Sequence, residues 1–383
     1  MKPPPMNDPI YLDYNATTPV DPQVAAAMLP FLHAEFGNPS SVHARGERAR
    51  LAVAAARAEV AALVNAAPDE IVFTGSATEA NNLALLGVAR AFPDRRHIVI
   101  SAVEHPAVMQ PALHLRECGW GVSIVPVDAT GRVNPAAVAA ALRPDTALVS
   151  VMHANNEVGT LQPVAEIAAL ARANGSLMHA DAAQSAGKVA LDVAALGVDL
   201  LTLAGHKMYA PKGIGALFVK RSTPIKPIQF GADQEHGLRP GTENVPHIAG
   251  FGAAARLARE ALPAATANLA TLRDDLHRQL AAEVPGLLLN GHAEHCLPNT
   301  LHVSFPGISG RALLAACADA LSASVGSACH SHGDAVSGVL AAIGCDAARA
   351  RGAVRLSVGR FTTAEEVAAA ATALIAAWRK IVE

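Results

Sequence analysis

The chain has 383 residues, 51% apolar and 16% charged, with a formal net charge of −3. Its length predicts two domains, and the apolar share provides a large buried interior and argues against disorder. No Lys/Arg run interleaves with aromatic residues, so nucleic acid is not an expected partner.

In chain order, Met1–Pro9 carries one lysine and four prolines but no apolar core, so no signal peptide is expected. Short apolar runs then alternate with alanine-rich segments. Strands are predicted at Glu70–Thr74, His97–Ser101, Val122–Val127, Ala147–Met152, Ser176–Ala180, Leu200–Ala204 and Ile214–Val219. Helices are predicted between them, such as Val164–Ala173 with Gly175 as its C-terminal stop. This alternation predicts an α/β fold with a mainly parallel sheet covered on both faces, its post-strand loops along one edge. From about residue 260 a long helix, Glu260–Val284, leads to strands at Thr300–Phe305 and Val354–Val358. Thr363 and Glu366 have capping-box spacing at the start of a closing helix. This tail predicts a smaller α+β domain. The apolar stretch Val367–Trp378 falls short of the roughly 20 residues a membrane span needs, so a cytoplasmic protein is expected.

The residues just past each strand of the first part carry the chemistry. Thr74-Gly75-Ser76-Ala77-Thr78-Glu79 opens a helical run, and small residues at a helix N-terminus suit a phosphate; an ordinary N-cap is the alternative. Glu104-His105-Pro106 offers a ring that can stack on a planar group or shuttle a proton, or else a hydrogen-bonded loop histidine. Asn155-Asn156-Glu157 offers ligand contacts or a plain turn. Asp181, followed by Gln184, offers a carboxylate for a pyridinium nitrogen or a helix cap. Gly205-His206-Lys207 puts a lysine at a buried strand end, where desolvation favours the neutral amine that forms a Schiff base; a surface lysine is the commoner fate. Together these parts match the needs of pyridoxal phosphate.

The stretches Tyr11-Leu12-Asp13-Tyr14-Asn15-Ala16-Thr17-Thr18-Pro19, Phe36-Gly37-Asn38-Pro39-Ser40, Val151-Met152-His153-Ala154-Asn155-Asn156-Glu157, His179-Ala180-Asp181-Ala182-Ala183-Gln184 and Gly205-His206-Lys207 resemble the class V aminotransferase-fold cysteine desulfurases. The stretch Ser324–Asp334 and Arg355-Leu356-Ser357-Val358-Gly359-Arg360 resemble the selenocysteine lyase branch. The resemblance runs from about residue 11 to the C-terminus. It implies fold type I of the pyridoxal-phosphate transferases, a large domain at 15–259, and a small domain built from 1–14 and 260–383. It implies a pyridoxal 5′-phosphate enzyme acting on L-cysteine or L-selenocysteine, a homodimer, and a sulfur- or selenium-acceptor protein as partner. Lys207 matches the lysine that carries the cofactor, Asp181 the pyridinium partner, and His105 the ring-stacking histidine. Ala77, Thr78 and His206 match phosphate-side positions; Asn156 and Gln184 match ring contacts, and Asn156 also a substrate contact. Thr242 matches a threonine that reaches the phosphate across a dimer interface, and Arg355 the arginine that grips the substrate carboxylate. Three departures stand out: the phosphate-cup order is Gly75-Ser76-Ala77-Thr78, Ala204 replaces a usual serine, and Pro106 follows the ring histidine.

The five cysteines (Cys118, Cys296, Cys317, Cys329, Cys345) form no CxxC pair, so neither a disulfide framework nor a structural zinc is expected. Cys329 lies between Gly326 and Gly333 beside His330 and His332, a setting that suits a thiolate nucleophile receiving the substrate sulfur. A metal site with Asp334, and a purely structural cysteine, are the alternatives. The resulting expectation is a cysteine desulfurase, with selenocysteine lyase as the alternative. Outside this reading stand a transaminase or carbon–carbon lyase on the same fold, and a non-catalytic cofactor-binding protein.

Overall fold

The computed structural model describes residues 8–326 and 337–383. Strand β1 (Ile10–Tyr11) opens the described chain. Strands β2 (Ile71–Thr74), β3 (His97–Ser101), β4 (Gly121–Val125), β5 (Thr146–Ser150), β6 (Leu177–Asp181), β7 (Leu200–Ala204) and β8 (Gly215–Val219) form one sheet in the order β2-β8-β7-β6-β5-β3-β4. Pairs β4–β3, β3–β5, β5–β6 and β6–β7 are parallel, while β8 runs antiparallel to both β7 and β2. The mainly parallel sheet expected from the alternation is therefore present.

Its strands are continuous apolar runs because helices cover both faces. Along β7 the two faces alternate: Leu200 packs with Val72, Leu83 and Val108, whereas Leu201 and Leu203 pack with Val53, Ile167 and Phe251. Thus α3 (Ala77–Ala91) and α4 (Pro106–Glu117) lie on one face. Helices α2 (Ala44–Leu63), α6 (Val164–Ala173) and the start of α8 (Val245–Glu283) lie on the other, with α1 (Pro22–His33), α5 (Pro135–Ala141) and α7 (Val193–Leu196) completing the helices before α8.

A second core lies in the C-terminal part. There β9 (Leu288–Leu289), β10 (Thr300–Ser304) and β12 (Ala353–Ser357) form an antiparallel sheet, and β11 (Leu321–Ser322) pairs with β1. Leu269, Leu272, Leu276 and Leu280 of α8 pack on Leu301, Val303, Val354, Leu356 and Leu374. The closing helix Ala364–Val382 carries the expected Thr363–Glu366 capping box.

Three expectations need correction. The helix expected to begin at Glu260 begins at Val245, because packing overrides propensity over its first turns. Pro246, Gly250 and Gly252 weaken the helical signal, yet Asn244 caps the N–H of His247 and proline is tolerated where no intrahelical acceptor exists. Gly252 is required: a Cβ there would lie 2.5 Å from Ala56 Cα, so α2 and α8 meet backbone to backbone. The others concern β4, which stops at Val125 rather than Val127 because Val127 leaves the sheet to bridge Val133, and β5, which stops at Ser150 rather than Met152, whose N–H turns to Glu104 Oε1. None of the described helices is long and apolar enough to cross a membrane.

Gly252→Val is expected to force these helices apart and destabilise the chain by about 2 kcal/mol or more, the range of core overpacking. Chemical denaturation of the variant beside wild type measures this.

Candidate active site

A cavity of about 450 Å³ opens at the carboxyl edge of the large sheet. Nearly every post-strand loop singled out by sequence reaches it: Ala77 and Thr78 after β2, His105 after β3, Asn156 after β5, Asp181 and Gln184 from β6 onward, His206 and Lys207 after β7. Arg355 of β12 closes the wall from the C-terminal part. Thr242 is exposed and does not line the cavity. Cys329, with His330, His332 and Asp334, lies outside the described residues.

Lys207 ends a single helical turn that follows β7. Its Nζ donates to the carbonyls of Asn15 at 2.5 Å and Ala16 at 2.7 Å. Burial first, then the Arg355 charge, lowers its pKa to about 8, with Asp13 and Asp181 opposing the fall. An amine so placed is uncharged in an appreciable fraction slightly above neutrality, whereas an exposed lysine would be almost wholly charged.

Asp181, the last residue of β6, accepts from Asn81 Nδ2 at 2.7 Å and from the Ala183 N–H at 2.9 Å. It is thus both a turn-forming residue and a buried carboxylate on the cavity wall. His105 caps α4, its Nδ1 accepting the Ala107 N–H at 3.1 Å, so Nε2 carries the ring proton. Burial lowers the pKa of this ring, Asp181 opposing and Lys207 assisting. His206 meets Thr17 Oγ1 at 3.1 Å, and burial with Lys207 nearby lowers its pKa to about 4. Both rings are therefore neutral at pH 7.

Ser76 is an N-cap, as the ordinary alternative held: its Oγ accepts the Glu79 N–H. The cap leaves the first-turn N–H groups of Ala77 and Thr78 without intrahelical acceptors, at the positive end of the helix dipole. Gly215 of β8 lies directly beneath this turn, where a Cβ would come within 2.6 Å of the Ser76 carbonyl carbon.

Arg355 is buried and pairs with Asp13 at 2.7 Å through Nη2, while Nη1 donates to the carbonyls of Asn156 and Gly326. Its Nε has no partner among the described residues. Both Nη1 hydrogens are thus engaged within the chain, while Nε and the second hydrogen of Nη2 have capacity to spare among the described residues.

Four residues of the site escaped sequence reasoning. Asn15 joins Lys207, Gln184 and Thr300. Asn81 is a polar side chain on the apolar face of α3, a signal visible in the sequence. Lys188 is buried beside Gln184. Glu104 accepts from Ser101 Oγ at 2.5 Å and the Met152 N–H at 2.9 Å through Oε1, and Oε2 has no partner among the described residues. Burial, with Asp181 adding to it, raises the Glu104 pKa to about 8 against those two bonds.

A mainly parallel sheet whose carboxyl edge gathers a lysine, a carboxylate, a histidine and an open helix N-terminus is the architecture of fold type I transferases. The chain belongs to the aminotransferase class-V family, whose model matches residues 10–369. It is 46% identical over 366 residues to the cysteine desulfurase IscS of Anaeromyxobacter dehalogenans (strain 2CP-C), covering 94% of this chain and 90% of that protein. Among solved structures, a NifS-like protein superposes with a TM-score of 0.90 at 37% identity, covering 98% of this chain and 99% of the other. SspA in complex with cysteine superposes with a TM-score of 0.82 at 34% identity, covering 92% and 99%.

Glu104 generates a pH signature. Its folded pKa lies above the unfolded value of 4.5, so the native state holds the proton longer and stability falls as pH climbs from about 4.5 to about 8. Each unit of the shift is worth about 1.4 kcal/mol. Glu104→Gln is expected to flatten this decline, measured as melting temperature between pH 5 and pH 9.

Proposed function

We propose that the chain is a pyridoxal 5′-phosphate-dependent cysteine desulfurase, converting L-cysteine to L-alanine and passing the sulfur to Cys329 as a persulfide. The observation carrying this reading is the buried Lys207 amine, with its pKa lowered to about 8, in one cavity with Asp181, His105 and Arg355. A relative that this chain matches over 90% of its length bears the name cysteine desulfurase, which supports the same reading.

The donor set suits the cofactor. Ala77 and Thr78, with His206, would hold its phosphate at the open helix end; Asp181 would hold the ring nitrogen, His105 the ring face, and Asn156 and Gln184 the ring edge. When bound through Lys207, pyridoxal phosphate supplies an electron-withdrawing ring that stabilises negative charge at the substrate α-carbon. Arg355 binds the substrate carboxylate and so orients the amino acid in the cavity. Lys207 Nζ, uncharged in an appreciable fraction, takes the proton from the α-carbon and can return one to the product. His105, neutral and held through Nδ1, shields that face from water and presents its Nε2 proton to the cavity.

Cys329 acts as nucleophile toward the substrate sulfur. An S–S bond forms as the carbon–sulfur bond breaks, and the electron pair stays with the carbon skeleton, which takes up protons to leave as alanine. The persulfide on Cys329 is then passed to an acceptor protein. On this reading residues 15–259 form the cofactor-holding domain, and residues 1–14 with 260–383 the domain that carries Cys329 and Arg355. Thr242, which does not line the cavity of its own chain, would serve the cavity of a second copy in a homodimer.

Lys207→Ala is expected to abolish the cofactor adduct that borohydride traps at residue 207, and with it alanine release. Cys329→Ala is expected to retain the adduct but lose nearly all alanine release from L-cysteine. Assaying wild type and Cys329→Ala on L-cysteine and L-selenocysteine tests this reading. Full turnover of cysteine without Cys329 would overturn the persulfide step, and a marked preference for selenocysteine would favour the lyase.

A further inference from the structure

Lys188 has no part in the chemistry derived above, yet it is one of the most completely enclosed charged-type residues in the chain, 7% exposed. It follows β6 in the stretch that carries Gln184, and the segment is held from outside by Thr266 Oγ1 donating to the Lys188 carbonyl. Its Nζ makes two hydrogen bonds, to Asn15 Oδ1 at 3.2 Å and to Gln184 Oε1 at 3.1 Å. No carboxylate accepts from it among the described residues.

The three side chains close a ring. Lys188 donates to Gln184 Oε1, Gln184 Nε2 donates to the Asn15 carbonyl at 3.0 Å, and Asn15 Oδ1 accepts back from Lys188. The same Asn15 carbonyl accepts from Lys207 Nζ. A primary amide can present either its oxygen or its NH₂ to a given neighbour, and its surroundings decide which. A lysine with both of its bonds made as a donor admits only the oxygen of Gln184 on its side. The NH₂ is thereby turned toward Asn15 and the cavity, with one hydrogen still unused.

We propose that Lys188 is a positioning residue: it fixes which end of the Gln184 amide faces the cavity and holds the Asn15 carbonyl against Lys207. Both of its hydrogen bonds run from Nζ to side-chain amide oxygens, and burial with Lys207 and Arg355 nearby lowers its pKa well below that of a free lysine. The cofactor-facing half of the proposal rests on the pyridoxal-phosphate reading; the Asn15–Lys207 half does not.

A double-mutant cycle on the full-length chain tests it, with Lys188→Met, Gln184→Ala and the pair, each titrated with pyridoxal phosphate. Lys188→Met, near in size and without a donor, is expected to weaken binding about fivefold, the scale of one misdirected hydrogen bond. In the Gln184→Ala background the same change is expected to cost less than about twofold, because the amide it orients is gone. An unchanged Kd in the first background, or equal losses in both, overturns the proposal. Lys188→Gln, which keeps an uncharged donor of shorter reach, is the second variant and is expected to fall between wild type and Lys188→Met; a weaker affinity than Lys188→Met overturns it. Failure of wild type itself to take up cofactor at Lys207 sinks the cofactor reading instead. The Lys188 proposal is then decided by the pH midpoint for acylation of Lys207 with acetic anhydride, the facing groups Asp13, Asp181, Arg355 and His206 being constant in every variant. Lys188→Met is expected to lower that midpoint as the Asn15 carbonyl loosens its hold on the ammonium, and an unmoved midpoint overturns the proposal.

Discussion

Removing one ammonium group from water is the constraint on which the site depends. Lys207 loses most of its hydration at the end of β7, and two backbone carbonyls replace part of it. Those dipoles alone are a poor substitute for water, and Arg355 nearby makes the charge still less welcome. Asp13, paired with Arg355, and Asp181 keep the positive charge of the cavity in bounds. The amine therefore sits near the balance between its two protonation states, where a single lysine can both accept and return a proton.

Asn15 ties that balance to the architecture. Its backbone N–H donates to Ser357 Oγ, and its side chain reaches Thr300 Oγ1 and accepts from Asn299 Nδ2, all in the C-terminal part. Its carbonyl meets Gln184 and Lys207, which follow strands of the large sheet. One residue thus connects the two hydrophobic cores at the point where the amine is held. Arg355 makes the same kind of connection, from β12 to the loop after β5 and to Asp13.

Much of this was legible in the sequence because parallel sheets place their loops in a predictable line. His97–Ser101, Leu200–Ala204 and Val164–Ala173 were read to the residue, since each combines an uninterrupted pattern with a clear stop. Residues at strand ends fall on that line: Asp181 and Lys207 each had an ordinary reading taken singly, and both line one cavity. Residues that act through others left weaker traces. Lys188 and Asn15 stand in stretches with no periodicity of their own, and their meaning comes from contacts between segments 173 residues apart. The glycines of α8 misled for a related reason, because local propensity cannot register that Ala56 fills the space beside Gly252.

The long helix α8 has a mechanical consequence. Its buried residues fall into two groups, Val245 to Ala255 against the large sheet and Leu269 to Leu280 against the small one, with Pro263 in the interval. Proline supplies no N–H to the helical ladder, so the rod is weakest where neither core grips it. Bending strain between the two bodies concentrates at that joint, while each half stays stiff where it is clamped. A pivot so placed lets Arg355 and the small sheet that carries it shift against the lysine-bearing sheet without unpacking either interior.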